Sequence, residues 1–219
     1  MTLRQFSPPD VAALSLEVAP AFIDEATYLR DYDERLTEWV EGSVIEMAAM
    51  TDQHNAMIRF LSALLEAYLT QTGEGRVFQD TFTMRFSTPN GKLRRRHPDV
   101  MVVCSPNLGR IQATYVDGAA DLVIEIVSED SVDRDRGEKF VEYEAAGVRE
   151  YWIVDPLRQE VLFYRRGDDA LFHLWSAPTG TPYTSAVLPR LTVAPDLLYR
   201  QPAPSVWDVV ALVTAMLNL

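Results

Sequence analysis

The chain has 219 residues, and its 20 Lys and Arg against 32 Asp and Glu leave a formal charge of −12 at pH 7. With 47% hydrophobic and 24% charged residues, the disordered, collagen-like and coiled-coil classes drop out, and the acidity argues against broad electrostatic capture of nucleic acid. No run of about 18 apolar residues is present and the first ten residues carry no signal-peptide core, so no membrane contact is expected and the cytoplasm is the expected address. The single Cys104 rules out an internal disulfide and a cysteine-built metal site; in Val100-Met101-Val102-Val103-Cys104 it reads as a small buried hydrophobe.

Residues 1–24 mix Pro and small apolar residues without a period and read as a loosely packed arm. A short charged helix is expected over 25–35, then a hairpin over 36–46 turning at Glu41-Gly42-Ser43. Met57, Phe60, Leu61, Leu64, Leu65 and Tyr68 recur at helical spacing after a Thr51 or Asp52 cap, and that helix should end near Gly73. Strand patterns follow in Val77-Phe78, in residues 82–86, and, after a Pro89-Asn90-Gly91 turn, over 92–104. The run Leu122-Val123-Ile124-Glu125-Ile126-Val127 reads as a buried strand. Next, Ser131 is placed to cap a helix with Asp133 and Asp135 in its first turn and Gly147 as its stop. Tyr151-Trp152-Ile153-Val154 is a further buried strand, and strand, helix, strand in that order indicates an α/β core with a crossover. Residues 159–193 alternate short strands with Gly and Pro turns, an antiparallel extension. The apolar segment 207–219 predicts a last helix that docks on the core or on a second copy of the chain. The division expected is an arm (1–24), one main domain (25–200) and a C-terminal apolar helix (201–219).

Carboxylates inside apolar strands are the sharpest chemical signal, because an ionised carboxylate taken from water costs several kcal/mol unless it is paired or metal-bound. Asp99 precedes Val100-Met101-Val102-Val103, and Glu125 interrupts residues 122–127. If the two strands pair, both acids converge on one divalent cation, and hard oxygens suit Mg²⁺ or Mn²⁺. Taken singly, Glu125 reads as the partner of a buried Arg and Asp99 as a turn cap; taken together they point to metal. Lys139 follows on the next helix, where it is either a solvated lysine in a ladder with Asp135, Arg136 and Glu142 or a group that positions a metal-bound water. Arg94-Arg95-Arg96 runs into Pro98-Asp99, so Arg95 and His97 share a face with Asp99 if the pleat survives the proline, and such a run is placed to hold phosphates. Tyr151 and Trp152 are either a stacking surface or, more ordinarily, buried strand aromatics. His97 and His173 read as surface or packing residues.

Several separated segments, in this order, resemble the Uma2 family of the PD-(D/E)xK restriction-endonuclease-like group. They are Glu38-Trp39-Val40-Glu41-Gly42 with Met47, His54, Pro98-Asp99, Glu125-Ile126-Val127-Ser128, Asp135 through Lys139 to Tyr143, and Gly147 through Trp152 to Asp155-Pro156. The likeness runs over about residues 25–193. It implies a restriction-endonuclease-like α/β fold, a mixed β-sheet core flanked by helices with an antiparallel extension. It also implies Asp99 and Glu125 as ligands of Mg²⁺ or Mn²⁺, with the Ile126 backbone completing the metal set, and Lys139 as the catalytic lysine. The general nuclease pattern has a lysine two residues after the acidic ligand; here Val127 stands there, and Lys139 on the following helix matches the family's substitute. Glu38 is the acid that would complete the shell through water or hydrogen-bond a ligand; read by itself it is equally an exposed strand carboxylate facing Arg35 or a nearby cation. His54 would touch substrate or carry a proton, with a packing or capping histidine as the ordinary alternative. Arg95 and Arg96 would bind substrate.

The function expected is therefore a Mg-dependent endonuclease acting on phosphodiester bonds, with DNA as its partner and a homodimer as its assembly. A non-catalytic nucleic-acid-binding or assembly protein on the same scaffold is the alternative, and a phosphohydrolase acting on small nucleotides is a third, weaker one.

Overall fold

Alternating apolar and polar positions that repeat every three to four residues make Asp52–Thr72 (α2) the longest helix. Thr51 caps it by accepting a hydrogen bond from the His54 amide, and Gly73 ends it in a left-handed conformation with φ 68°. The computed structural model describes residues 22–32, 37–46, 50–79, 82–128 and 134–218. Ser131, Asp133, Met47, Leu36, Leu219 and most of the expected N-terminal arm lie outside the described residues.

Glu25–Asp31 (α1) is the short charged helix. Thr37–Val40 (β1) and Ser43–Glu46 (β2) form the hairpin, and its two turn residues, Glu41 and Gly42, both have positive φ, 50° and 85°. A two-residue turn of that sign matches the twist of its strands. A Cβ on Gly42 would also fall 2.2 Å from the Phe22 ring. Gly75–Gln79 (β3), Thr83–Ser87 (β4), Leu93–Arg96 (β5), Val100–Cys104 (β6), Tyr115–Asp117 (β7) and Leu122–Ile126 (β8) follow. A π-helical turn over Arg134–Glu138 leads into Lys139–Ala146 (α3), which Gly147 stops at φ 92°. Glu150–Asp155 (β9), Glu160–Arg166 (β10), Phe172–Leu174 (β11), the small pair Tyr183–Thr184 (β12) and Thr192–Val193 (β13), and Val206–Leu217 (α4) complete the order.

The expected strand over 92–104 is two strands in two different sheets. Pro98 has no N–H to give a ladder, and at His97-Pro98-Asp99 the chain leaves one sheet, ordered β2-β1-β5-β4-β7, for the other, ordered β11-β10-β9-β8-β6-β3. In the second sheet β8 and β9 are parallel, joined through α3 as the crossover required, while β10 and β11 extend it antiparallel.

Strand alternation splits this second sheet between two cores. Val100, Val102, Leu122, Ile124, Trp152 and Val154 pack under α2 and α4. Met101, Val103, Val123, Tyr151 and Ile153 pack toward α3 and the first sheet, against Tyr143, Met84, Phe86 and Val116. Tyr151 and Trp152 are thus core residues, as their ordinary reading had it. Helix α4 buries Val209, Val213 and Leu217 in the cluster that holds Phe60, Leu64 and Leu65 of α2. The stripe that suggested a second copy is therefore largely used within the chain, while Val206, Trp207 and Val210 stay exposed. No helix among the described residues is long and apolar enough to cross a membrane.

A buried acid fastens the C-terminal segment to the sheet. Glu150, at the start of β9, accepts hydrogen bonds from the Ser185 hydroxyl (2.9 Å), the Ala186 amide (2.7 Å) and the Val187 amide (3.1 Å) with Oε2, and from Trp152 Nε1 (2.6 Å) with Oε1. Replacing it leaves buried donors without acceptors. Glu150→Ala should lower the unfolding free energy by about 3 kcal/mol in urea titration; an unchanged midpoint would show that water replaces the carboxylate at no cost.

Candidate active site

The antiparallel register of β6 and β8 sets Val100 opposite Ile124, so one step further Asp99 stands opposite Glu125. Directly opposed residues project from the same face, and this face is the one covered by α3. Asp99 Oδ2 accepts a hydrogen bond from the Ile126 amide at 2.6 Å and lies 3.2 Å from His54 Nε2 in the first turn of α2. The structure thus brings together Asp99, Glu125, the Ile126 backbone and His54.

Helix α3 supplies the cation. Asp135, Lys139 and Tyr143 recur every four residues, one helical face, and all three are buried. Lys139 Nζ lies 3.0 Å from Glu125 Oε1, 3.2 Å from Asp135 Oδ1 and 3.5 Å from Glu38 Oε1. The solvated-lysine reading is overturned, since Lys139 is 3% exposed. Of the expected ladder only the Asp135 leg forms; Arg136 pairs with Asp155 and Glu160 instead. The Tyr143 hydroxyl donates to Glu125 Oε1 at 2.8 Å.

Glu38 arrives from the other sheet. It neighbours Arg96 across the β1–β5 pair, accepts from Arg96 Nη1 at 2.8 Å and from the His97 amide at 3.2 Å, and is 1% exposed rather than facing solvent. Around Lys139, then, lie Glu38, Glu125 and Asp135, with Asp99 beside them, and Arg96 is shared with Glu142.

These charges set the ionisation of the site. Burial works against the Glu38 carboxylate, but the Lys139 and Arg96 charges outweigh it and hold its pKa at about 2. Burial likewise opposes the Lys139 ammonium, and Glu125, Glu38 and Asp135 outweigh it, so its pKa is raised. Glu125 is pushed well above the usual carboxylate range by burial; the Lys139 charge pulls it down, and the nearby Asp135, Asp99 and Glu38 carboxylates push it up further. Burial also disfavours charge on His54, yet the Asp99 carboxylate raises its pKa overall. The Tyr143 phenol, raised by burial and by Glu125, stays a neutral donor.

The excess of carboxylate over cation is the observation that bears on a metal. Among the described residues no three His, Cys, Asp or Glu side chains form a ready-made metal shell. The donors nonetheless fit a hard divalent ion: Mg²⁺ keeps several waters and takes one or two carboxylates. Of the buried polar atoms in the cluster, His54 Nδ1 has no hydrogen-bond partner, and Asp135 Oδ1 has only its ion pair with Lys139.

The arginine run is placed otherwise than expected. Arg95 turns away from Asp99 and is 2% exposed, donating to Glu25 Oε1 at 2.8 Å and to Thr83 Oγ1 at 3.3 Å with its guanidinium over the Tyr115 ring. Arg96, fully buried, is spent on Glu38 and Glu142, and Arg94 on Glu142 and Glu41. Neither Arg95 nor Arg96 presents an open guanidinium to a phosphate, because acids distant in sequence neutralise them. His97 is buried near the Tyr28 hydroxyl, whereas His173 is a surface residue bonded to Asp169. Cys104 is buried, with its thiol pushed up to about 12 by burial and Asp121, an inert group as expected.

Sequence reasoning passed over Asp135, Tyr143 and Glu142 as site residues. The four-residue spacing of Asp135, Lys139 and Tyr143 was the available signal for the first two. Glu142, one residue before Tyr143, lies off that face and carried none.

Comparisons with known proteins bear on the family and the fold. The family described as Uma2, "Putative restriction endonuclease", matches residues 24–195. Among solved structures, the fold is similar to that of a protein from Anabaena variabilis described as a putative nuclease belonging to DUF820. The TM-score is 0.60 at 18% identity, over 81% of this chain and 90% of that one. No curated protein matches.

The Glu38 interaction has a pH signature. A folded pKa of about 2 against an ordinary 4.5 means that this carboxylate stabilises the fold fully above pH about 4.5, and that the contribution is lost as pH falls toward about 2. Glu38→Gln should therefore cost on the order of 3 kcal/mol near neutral pH, and the gap should close at the acid end. Melting curves of both proteins across that range measure it; parallel curves would contradict the assignment.

Proposed function

Since the chain belongs to the Uma2 family, we propose that it is a divalent-metal-dependent endonuclease that hydrolyses phosphodiester bonds in DNA. The observation that carries the reading is the opposed pair Asp99 and Glu125 with a buried lysine held among further carboxylates. One acid beside Lys139 would fit a structural ion pair; here the ammonium is shared by Glu125, Asp135 and Glu38, and Arg96 is divided between Glu38 and Glu142, so acids outnumber the cations that face them.

Asp99, Glu125 and the Ile126 carbonyl would hold the ion, Mg²⁺ or Mn²⁺. When bound, it would supply Lewis-acid charge at the scissile phosphate and a more acidic water. Lys139, kept protonated by its carboxylates, is a fixed donor for orienting the attacking water and for meeting charge on the phosphate. Asp135 and Glu38 hold Lys139 in place from the helix and from the opposite sheet. Tyr143 holds Glu125, and His54 holds Asp99. These supports leave the reacting groups little rotational freedom, which is where positioning contributes to rate.

The test pairs cleavage with metal binding. With Mg²⁺ the wild-type protein should nick plasmid DNA, and Asp99→Ala should abolish both nicking and calorimetric Mn²⁺ binding. Lys139→Met should keep Mn²⁺ binding and slow cleavage by roughly 100-fold or more. Equal products from wild type and Asp99→Ala would sink the proposal. Absence of Mn²⁺ binding by the wild type would favour a non-catalytic binding protein on this scaffold.

A further inference from the structure

Tyr151, the second residue of β9, is wholly buried, at a position where a phenylalanine would fill the same space. The Tyr143 ring meets it edge-on at 5.3 Å, Phe172 stacks on it at 5.9 Å and Phe140 flanks it at 6.4 Å. Packing alone therefore fixes the ring. The hydroxyl is what packing does not explain, because a buried O–H costs free energy unless it is bonded.

That hydroxyl donates to the Asp135 carbonyl oxygen at 2.9 Å. Asp135 is the second residue of the π-helical turn Arg134–Glu138 that leads into α3, and π-helical turns are rare and frequent at functional sites. An aspartate carboxylate hangs on one methylene, so holding the backbone of Asp135 also holds its carboxylate. That carboxylate lies 3.2 Å from Lys139 Nζ, which lies 3.0 Å from Glu125 Oε1. A line of contacts thus runs from β9 through the Tyr151 hydroxyl and the turn to the buried ammonium. The adjoining phenol, Tyr143, bonds Glu125 itself. One tyrosine holds the acid and the other holds the turn that faces it.

We propose that Tyr151 is a positioning residue, whose hydroxyl holds the 134–138 turn and, through Asp135, sets the Lys139 ammonium against Glu125. The proposal rests on the reading of the carboxylate cluster as a phosphodiester-cleaving site. A lysine carried by a helix has no strand ladder to place it, so the start of that helix needs a tie to the sheet. The Tyr151 hydroxyl is such a tie, made directly from β9. Burial, with the Glu125 and Asp135 charges beside it, pushes the phenol's pKa well up, so the O–H keeps its proton and remains a donor.

Tyr151→Phe keeps the ring and removes only the hydroxyl, and plasmid cleavage with Mg²⁺ over a range of DNA concentrations reads the result. The variant should lose roughly tenfold in kcat, with KM and calorimetric Mn²⁺ binding as in wild type. In the Lys139→Met background the same change should cause no further loss, because its effect passes through the ammonium. Amide hydrogen exchange should quicken at residues 134–139 and stay as in wild type in β8. Tyr164→Phe is the control: Tyr164 stands opposite Tyr151 on β10, and its hydroxyl should matter to neither rate nor exchange. A wild-type kcat in Tyr151→Phe, an equal loss with and without Lys139, or an equal loss in Tyr164→Phe would overturn the proposal. So would unchanged exchange at 134–139, whether or not the protein cuts. A wild type that never cuts, with exchange quickened in Tyr151→Phe, would refute the nuclease and keep the hold on the turn.

Discussion

A single ammonium group joins the main parts of this molecule. Lys139 stands on α3, touches Glu125 from one sheet and Glu38 from the other, and is buried with both. A lysine taken wholly from water stays charged only where several carboxylates surround it, and those carboxylates stay buried only because it is there. The two sheets, the crossover helix and the turn carrying Asp135 must therefore be in place together. Apolar packing between Tyr143, Met84, Phe86 and Ile153 fixes the distance between layers, and the charge at its edge fixes their orientation.

Other buried acids show what sets this cluster apart. Glu150 and Asp121 are as deeply buried as Glu125, but Glu150 is satisfied by N–H and O–H donors, three of them from the 185–187 segment. Asp121 binds the Cys104 amide and the Asn107 side chain, with Arg149 reaching in from the surface. These are structural carboxylates: their donors are fixed and nothing more is called for. Glu125 has a cation, a phenol and three acidic neighbours. The difference between fastening and chemistry lies in the partners, and burial does not reveal it.

Local signals in the sequence were enough for local structure. The apolar period of α2, the Glu41-Gly42 turn, the β-branched run of β8 and the Gly147 stop each follow from interactions within a few residues, and each element forms where its pattern indicates. Asp99 and Glu125 stood out for the same reason, as acids in apolar strands. What depended on distant pairing was not legible. Arg95 looks free until Glu25, far upstream, closes on it, and Arg96 looks like a phosphate ligand until Glu38 and Glu142 take it. Pro98 marked a break in the 92–104 strand, yet nothing local says that the halves belong to different sheets. The likeness to a family supplied Lys139; the reason it is buried became visible only with Glu38 beside it.

The crossing at His97-Pro98-Asp99 carries one more implication. The His97 amide holds Glu38, and two residues later Asp99 holds the Ile126 amide, so three consecutive residues are shared by both sheets and by the acid cluster. Robustness and chemistry consequently draw on the same atoms. A lineage of this fold cannot relax the crossing to vary its chemistry without loosening the architecture. Its freedom to diversify lies in the loops, where side chains answer to solvent and not to the opposing sheet.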